Sequence, residues 1–468
     1  MKSNRITICT TQPVLSKIIL ASIIAVSGQF SVSTMNATAR TWNNAGIDFN
    51  TATNWTTTTP GLGDVAQFNA VETVQPNLSA SLSIAGLYFS GTGSSGYDLT
   101  NTNSAVLTLT GYSTTGSGGT SNSSAAAIRS EITSGTNTID APLVIAPAVV
   151  PNSSIFYQAN GGTLVVNGPV SGGTNLSLKG TSGGIIQLNG GNAFATGSID
   201  TAGIVVVVGN DSGLGSGTFS VNSTASLQAG GASRTLSNNI VLAGSTTLSG
   251  SNAFTLNGTV TSSGSNSRSL TVSNTGGAII GGNLVLQEAT ATGRTFTILG
   301  TSAVSVNGVV QDGGTGPAIL KYTGSSTLTL SNANTYSGGT QMTVTGSTII
   351  ANSDGALGAG NVTLTIAGAT LTLQNGTTQN YISDSATLSL LTGDTVNLSF
   401  LGTDTVSSLI IDATAQAAGI YNATTNPGLF IGTGSITVVP EPSTYAMLLS
   451  GAGLMILMAR RKRAEARI

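Results

Sequence analysis

The feature that most constrains this sequence is a series of short segments in which apolar and hydroxyl residues alternate, separated by Gly and Asn. Residues 107–110, 327–330 and 363–366 are examples. Successive side chains of a strand point to opposite faces, so a period of two predicts strands with one buried face, and Gly and Asn mark the turns. The 62 glycines oppose a helical alternative, because each Gly costs about 1 kcal/mol in a helix interior. We therefore predict an all-β body.

Two segments of the body align with each other, about 142 residues apart. Such self-similarity predicts a stacked architecture in which each unit buries its apolar face against the next one. The shared positions are Asn192, Phe194, Asp211, Leu214 and Gly215 in the upstream copy, and Asn334, Tyr336, Asp354, Leu357 and Gly358 in the downstream copy. The pairs Leu178-Lys179 and Leu320-Lys321 precede the two copies.

The downstream copy, residues 320–360, resembles the autotransporter-associated β-strand repeat of secreted passenger domains. This resemblance implies a right-handed parallel β-solenoid (β-helix). The upstream copy departs from the family, because Phe194 replaces Tyr336 and residues 195–197 lack the paired Gly. We expect the repeats over residues 160–375, early coils over 40–159 and C-terminal coils over 376–439. At roughly 20 residues per coil, the body would stack about 20 coils at about 4.8 Å each.

The start of the body carries both tryptophans of the chain, Trp42 and Trp55. The segment from Trp42 to Phe68 resembles the opening segment of such passengers, which implies that it caps the stack. Core packing alone explains buried aromatic residues, so no binding role follows from them.

Residues 1–39 predict a secretory signal peptide. Lys2, Arg5 and Lys17 come first, followed by the apolar run 18–26 and a polar stretch that ends at Ala37-Thr38-Ala39. The apolar run is far shorter than the roughly 20 residues that span a membrane, so we expect export and cleavage rather than a permanent anchor. Cleavage is expected at Ala37 and Ala39, and a site nearer Ser27 stays open.

The C-terminal residues 440–468 have three ordered parts. Pro440, Glu441 and Pro442 exclude helix and strand, leaving an extended segment. The uncharged residues 445–459 would form a helix about 22 Å long, short for a transmembrane helix. The basic end, which fixes the cytoplasmic side, consists of Arg460, Arg461, Lys462 and Arg463.

This order closely resembles the PEP-CTERM sorting tails of Gram-negative bacteria that produce exopolysaccharide. The resemblance implies that Pro440, Glu441 and Pro442 form the sorting motif. It also implies a partner, the exosortase, a membrane-embedded cysteine transpeptidase that removes the tail. The expected location is a transient inner-membrane anchor, followed by the cell surface or the extracellular matrix.

The residue inventory excludes much chemistry. There is no His, and the single Cys lies within the predicted signal peptide, so Cys/His nucleophiles, zinc sites built on those residues and disulfides are not expected. From Arg40 to Val439 there are seven basic and fifteen acidic residues, a net charge of −8 without basic clusters, which disfavours nucleic-acid binding. We predict no catalytic residues, no metal and no cofactor.

Three functions are compatible with these sequence features. The favoured one is a structural or adhesive surface protein, not an enzyme, with extracellular polysaccharide of a biofilm as a partner. The alternative is a β-helix polysaccharide lyase or hydrolase, which needs convergent carboxylates. A minor alternative is an ice- or water-ordering protein, suggested by threonines repeated two residues apart on strands. These pairs are Thr327 with Thr329, Thr343 with Thr345, Thr363 with Thr365 and Thr370 with Thr372.

Overall fold

The computed structural model describes residues 37–91, 93–112, 125–147, 153–172, 175–287 and 293–439, together with Met455. A single short 3-10 helix, Ala52–Asn54, interrupts the strands in this part of the chain. The first strands are β1 (Thr38–Thr41), β2 (Asp64–Phe68), β3 (Asn77–Leu78), β4 (Leu82–Ile84), β5 (Gly86–Phe89), β6 (Asp98–Asn101), β7 (Leu107–Leu109), β8 (Ala125–Ser130), β9 (Thr136–Ile139), β10 (Leu143–Ile145), β11 (Ser153–Gln158), β12 (Thr163–Val166), β13 (Val170–Ser171), β14 (Asn175–Gly180) and β15 (Ile185–Leu188).

The middle of the chain continues with β16 (Thr196–Ile199), β17 (Val205–Val208), β18 (Phe219–Val221), β19 (Ala225–Ala229), β20 (Arg234–Leu236), β21 (Ile240–Leu242), β22 (Thr246–Ser249), β23 (Phe254–Leu256), β24 (Val260–Ser262), β25 (Arg268–Val272), β26 (Ala278–Ile280), β27 (Leu284–Val285), β28 (Thr295–Gly300), β29 (Val304–Val306) and β30 (Val310–Gln311). The last strands are β31 (Ile319–Tyr322), β32 (Thr327–Leu330), β33 (Gly339–Met342), β34 (Thr348–Ala351), β35 (Val362–Leu364), β36 (Thr370–Gln374), β37 (Thr387–Leu390), β38 (Thr395–Ser399), β39 (Thr403–Val406), β40 (Ser408–Ile411), β41 (Thr414–Ala415), β42 (Gly419–Tyr421), β43 (Phe430–Gly432) and β44 (Ser435–Val438).

The strands stack as the sides of a parallel β-solenoid of about 14 turns. Sheet I has 12 strands: β1, β2, β5, β8, β11, β14, β16, β18, β21, β24, β27 and β30. Sheet II has 16: β3, β6, β9, β12, β15, β17, β19, β22, β25, β28, β31, β33, β35, β37, β40 and β41. Sheet III is in two parts, one of 4 strands (β4, β7, β10, β13) and one of 9 (β20, β23, β26, β29, β32, β34, β36, β38, β43). The all-β body predicted from the alternation is confirmed, and so is the parallel β-solenoid that the repeat resemblance implied.

The core is built by in-register stacking of the inward residues. On sheet II, parallel pairing aligns one buried aliphatic column. Because equivalent side chains lie about 4.8 Å apart in adjacent strands, each coil covers the apolar face of the previous one. The column consists of Leu164, Ile186, Val206, Leu227 and Leu248.

The first turn is closed by aromatic packing. The rings of Trp42 and Trp55 lie 5.1 Å apart, and those of Phe49 and Trp55 lie 4.8 Å apart. The indole Nε1 of Trp55 donates to the backbone oxygen of Phe49 at 2.8 Å. Both tryptophans are at most 3% exposed, so they pack as core residues at the start of the stack.

The expected coil number is wrong, because most coils are longer than the sequence suggested. The shortest coils match the expected length, as between Ile186 and its partner Val206. The coil from Leu270 to Ile298 is longer, and the coil from Leu99 to Ile139 is longer still. Connections of variable length between strands absorb most of the extra residues, and one more lies in a bulge of β8 opposite β11, so the same body makes about 14 turns. Parallel stacking also extends on both sides of residues 160–375, from β1 to β44.

The two aligned segments have the same contacts. Asn192 accepts a hydrogen bond from the Val170 N–H (2.8 Å) and donates to the Gly213 carbonyl (2.7 Å). Asn334 accepts from the Val310 N–H (2.7 Å) and donates to the Ala356 carbonyl (2.6 Å). Each buried amide therefore links three successive coils in place of strand hydrogen bonds. The alignment seen in the sequence is thus an alignment of structure.

Candidate functional sites

The described solenoid ends at the start of the predicted sorting motif. Strand β44 pairs in parallel with β39, where Val406 lies opposite Val438, and in antiparallel with β42. Val438 is 5% exposed and Val439 is 40% exposed. The next residue is Pro440, which has no N–H to donate and cannot extend the ladder. The tail therefore begins directly after a strand that is paired with a neighbouring strand on each side.

The residues predicted to carry sorting lie outside the described part of the chain. This holds for Pro440, Glu441 and Pro442, for the basic end from Arg460 to Arg463, and for residues 445–459 apart from Met455, which is helical and exposed. In the part that the structure describes, no helix has the length and apolar character needed to cross a membrane.

A buried carboxyl group lies in the strand beside β44. Asp404 is 1% exposed and pairs with Ile436 in the register. Burial raises the pKa of Asp404 to about 7, even though the backbone N–H of Ile382 donates to its Oδ2 at 3.1 Å. The sheet that precedes the tail thus encloses an acid that is substantially protonated near neutral pH.

The predicted signal-peptide residues lie where the solenoid starts. Ala39 belongs to β1 and pairs with Val65, while Ala37 packs at the edge of the sheet, against a small cluster that contains Tyr112. Arg40 forms an ion pair with Asp64 at 3.2 Å. Cleavage after Ala39 would remove half of β1, whereas the alternative site nearer Ser27 would leave the strand complete.

Acidic residues converge at one place on sheet II. The Asp98 and Asp140 side chains lie close enough to interact electrostatically, and Asp140 accepts a hydrogen bond from the Asn167 amide at 2.7 Å. Burial raises the pKa of Asp98, and the adjacent Asp140 carboxylate raises it further. Within the described residues no group of three or more His, Cys, Asp or Glu side chains could hold a metal ion. The sequence did not reveal this pair, because its members lie far apart in the chain, one in β6 and one after β9.

The four threonine pairs do not form one array. Thr327 and Thr370 stack on sheet III in a column with Thr348 and Thr395. The neighbouring column, which contains Thr329 and Thr372, also includes Ile350 and Asn397. Thr363 lies on sheet II, and Thr343 and Thr345 lie in the turn after β33. The pairs therefore do not combine into a single outward array, because consecutive strands of a coil belong to different sides.

Sequence reasoning missed an outward row on sheet I. In-register pairing brings together Gln67, Tyr88, Arg129, Tyr157 and Lys179. Arg129 and Lys179 counted as scattered basic residues in the sequence. Each of these two residues occupies a strand position between two buried residues, and that alternation was the available signal. The coil lengths that align Arg129 with Lys179 could not be known from the sequence.

Comparison with known families identifies the C-terminus. The family model of the PEP-CTERM protein-sorting motif matches residues 438–463. No curated protein and no solved structure is significantly similar to the chain.

The matched residues begin at the last described strand position, Val438, so the motif directly follows the solenoid. Fold and motif together define a class, the exported β-solenoid proteins. Within that class, this chain carries the sorting signal of an exosortase substrate.

Proposed function

We propose that this protein is a non-catalytic structural or adhesive component of the cell surface or of the extracellular polysaccharide matrix. The observation that carries the proposal is the position of the sorting motif immediately after a stacked solenoid. An extended repetitive body is delivered outside the inner membrane, and the exosortase then removes its tail.

The tail acts as a temporary anchor in this proposal. Residues 445–459 hold the chain in the inner membrane, and the basic residues at positions 460–463 stay on the cytoplasmic side. Because proline disfavours both helix and strand, the sequence Pro440-Glu441-Pro442 suits binding in a protease cleft beside the membrane.

We further propose that residues 320–360 are an autotransporter-associated β-strand repeat and that residues 178–217 are a divergent copy. The shared asparagine bridges support this relation. So do the two buried aromatic residues, because the carbonyl of Phe194 accepts from the Ser216 N–H (3.1 Å) and that of Tyr336 from the Ala359 N–H (2.9 Å).

Adhesion by such a surface depends on the number of contacts it makes. A neutral hydrogen bond contributes only about 0.5–1.5 kcal/mol net. Many such contacts along a rigid array act together through effective concentration. The outward hydroxyls of the stacked threonines on sheet III suit this kind of contact.

The proposal is tested by locating the protein in fractionated cultures of a producing strain. We expect the wild-type protein in the extracellular matrix fraction. A variant with Pro440, Glu441 and Pro442 replaced by Ala should stay in the inner membrane. Recovery of the wild-type protein from the inner membrane, in cells that express the exosortase, would contradict the proposal.

The Asp98–Asp140 pair gives the enzyme alternative a specific form. Two neighbouring carboxyl groups suit general acid–base chemistry on a glycosidic bond. Incubation of the protein with the producer's polysaccharide should release no reducing ends and no unsaturated sugars. Release that Asp98→Asn abolishes would replace the structural role with a hydrolase or lyase activity.

A further inference from the structure

The outward row on sheet I differs in chemistry from the other faces of the solenoid. The Tyr88 row consists of Gln67, Tyr88, Arg129, Tyr157 and Lys179, one from each of five adjacent strands. All five side chains are partly exposed. Since strands lie about 4.8 Å apart, Tyr88 and Tyr157 are separated by roughly 10 Å. Two aromatic rings thus alternate with two cations along a straight line.

The middle of the row is held in place by Glu131. The Nε and Nη2 atoms of Arg129 donate to Glu131 Oε1 at 2.8 and 2.5 Å, and the Tyr88 hydroxyl donates to Oε2 at 2.6 Å. The Arg129 guanidinium also lies over the Tyr157 ring, 4.7 Å from its centroid. Side chains that are already fixed lose little conformational entropy when a ligand binds.

The end of the row carries a charge without an acidic partner. Among the described residues, no carboxylate forms a salt bridge with the Lys179 ammonium. A solvated ammonium in a body with a net charge of −8 is a local attraction for anions. The row itself, with Glu131 included, has a net charge of +1. Asp200 follows Ile199, the register partner of Leu178, in the next coil, and its carboxylate accepts hydrogen bonds from Ser177, Ser198 and Asn222.

Resting on the proposed matrix function, we propose that the Tyr88 row binds a chain of an acidic polysaccharide that contains uronate residues. The apolar CH faces of alternate sugars pack on the rings of Tyr88 and Tyr157. The carboxylates of the sugars pair with the ammonium of Lys179. Gln67 supplies neutral hydrogen bonds at the other end of the row.

The downstream copy offers a natural comparison for this surface. Lys321 has the position of Lys179 in the repeat, but its strand neighbours are Thr297 and Gln341 instead of Tyr157. Lys321 therefore presents the same cation without the aromatic row, which makes Lys321→Gln a matched control. Tyr421, a partly exposed tyrosine of β42, provides the aromatic control as Tyr421→Leu.

The test measures binding of the full chain, purified in mild detergent, to immobilised alginate, a polyuronate, with neutral dextran as a reference. We expect binding to alginate that weakens with added salt and little binding to dextran. Tyr157→Leu and Lys179→Gln should each lower the affinity about tenfold, the effect of losing one aromatic or one ionic contact. Lys321→Gln and Tyr421→Leu should change it less than about twofold.

Two results would overturn the inference. Equal binding to dextran and alginate would reject the acidic class of ligand, and unchanged alginate binding by both row variants would reject this site. Lys179→Gln removes a partly exposed charge and is expected to fold. It therefore still tests the site by its alginate affinity if Tyr157→Leu fails to fold. Failure of the matrix role is separately visible, because the wild-type protein would then be missing from the matrix fraction.

Discussion

The two copies of the repeat have the same inner contacts but stand on different sides of the solenoid. Around the upstream copy the chain alternates between sheets I and II, and sheet III has no strand between β13 and β20. Around the downstream copy the chain alternates between sheets II and III, and sheet I ends at β30. The repeated segment therefore acts as a turn that replaces one strand, whichever side it occupies.

The comparison shows which residues define that turn. In both copies an asparagine bridges three coils, a buried aromatic side chain fills the corner, and a glycine with positive φ packs against the aromatic ring. Outside the turn the copies are free to differ, and the upstream copy alone adjoins the Tyr88 row. The inner contacts of the two copies are thus alike, while their surfaces differ.

The largest effect is expected at the corner glycines. Gly215 and Gly358 have φ angles of 78° and 71°, and an added Cβ would lie 2.6 Å from the carbonyl oxygen of Phe194 or Tyr336. Gly→Ala at either position should therefore lower the free energy of unfolding by about 3 kcal/mol or more, in denaturant titrations. Gly346→Ala is the control, because its φ is 77° and nothing lies within 4 Å of the added carbon. A loss at Gly358 no larger than at Gly346 would reject the crowding argument.

The next largest loss of stability is expected from removing the asparagine bridges. Asn192→Ala and Asn334→Ala each leave a buried N–H and a buried carbonyl without a partner. We expect each to cost about 2–4 kcal/mol in the same titration. Asn332→Ala, which removes only exposed contacts, should cost less than about 0.5 kcal/mol. Costs that differ strongly between Asn192 and Asn334 would break the equivalence of the two copies.

A smaller effect concerns the aspartates of the two copies. Burial acts to raise the pKa of Asp354, but the N–H groups of Thr378 and Thr377 and the Thr377 hydroxyl outweigh it and lower the pKa to about 2. Asp211 instead accepts one such bond, from Thr235. A depressed pKa stabilises the fold above the unfolded pKa near 4, and this contribution is lost as pH falls toward 2.

Asp354→Asn should therefore cost about 1 kcal/mol at pH 7 and flatten the loss of stability between pH 4 and pH 2. Asp211→Asn, which removes the hydrogen bond from Thr235 and the 3.9 Å ion pair with Arg234, is the matched substitution in the upstream copy. The measurement is the denaturant midpoint as a function of pH. A profile for Asp354→Asn that parallels the wild type would show that the hydrogen bonds of Asp354 do not stabilise the turn.

The smallest effect tests the exchange of tyrosine for phenylalanine in the corner. The Tyr336 hydroxyl forms a hydrogen bond with Thr340 Oγ1 at 2.5 Å, and Thr340 also donates to the Leu357 carbonyl. Tyr336→Phe makes the downstream corner like Phe194 and should cost about 1 kcal/mol, because Thr340 keeps its second partner. Thermal unfolding of this variant gives the value. A cost above that of Asn334→Ala would mean that the hydroxyl, rather than the asparagine, secures the corner.

The sequence predicted the parts that depend on local pattern. Alternation in segments such as 327–330 identifies strands, and the shared Asn334 and Asn192 identify a repeated turn. The register between strands of different coils could not be predicted from the sequence, because it depends on connection lengths that vary from coil to coil. Tyr88, Arg129 and Tyr157 are distant from one another in the chain, yet they lie in adjacent strands.

Side-chain burial set a second limit. Asp404 reads in the sequence like any solvent-facing residue between two threonines, but the structure encloses it and raises its pKa. Which face of a short strand points inward depends on the neighbouring coils, since a shift of one residue would reverse every side chain.

The proposed sorting of this solenoid by removal of its tail is tested most directly by the intact mass of the mature protein. The protein should be isolated from the matrix fraction of an exosortase-expressing strain. We predict a chain that contains Val439 at the end of the solenoid and lacks the basic residues Arg460 to Arg463. A mature chain that still carries this basic end would contradict the account.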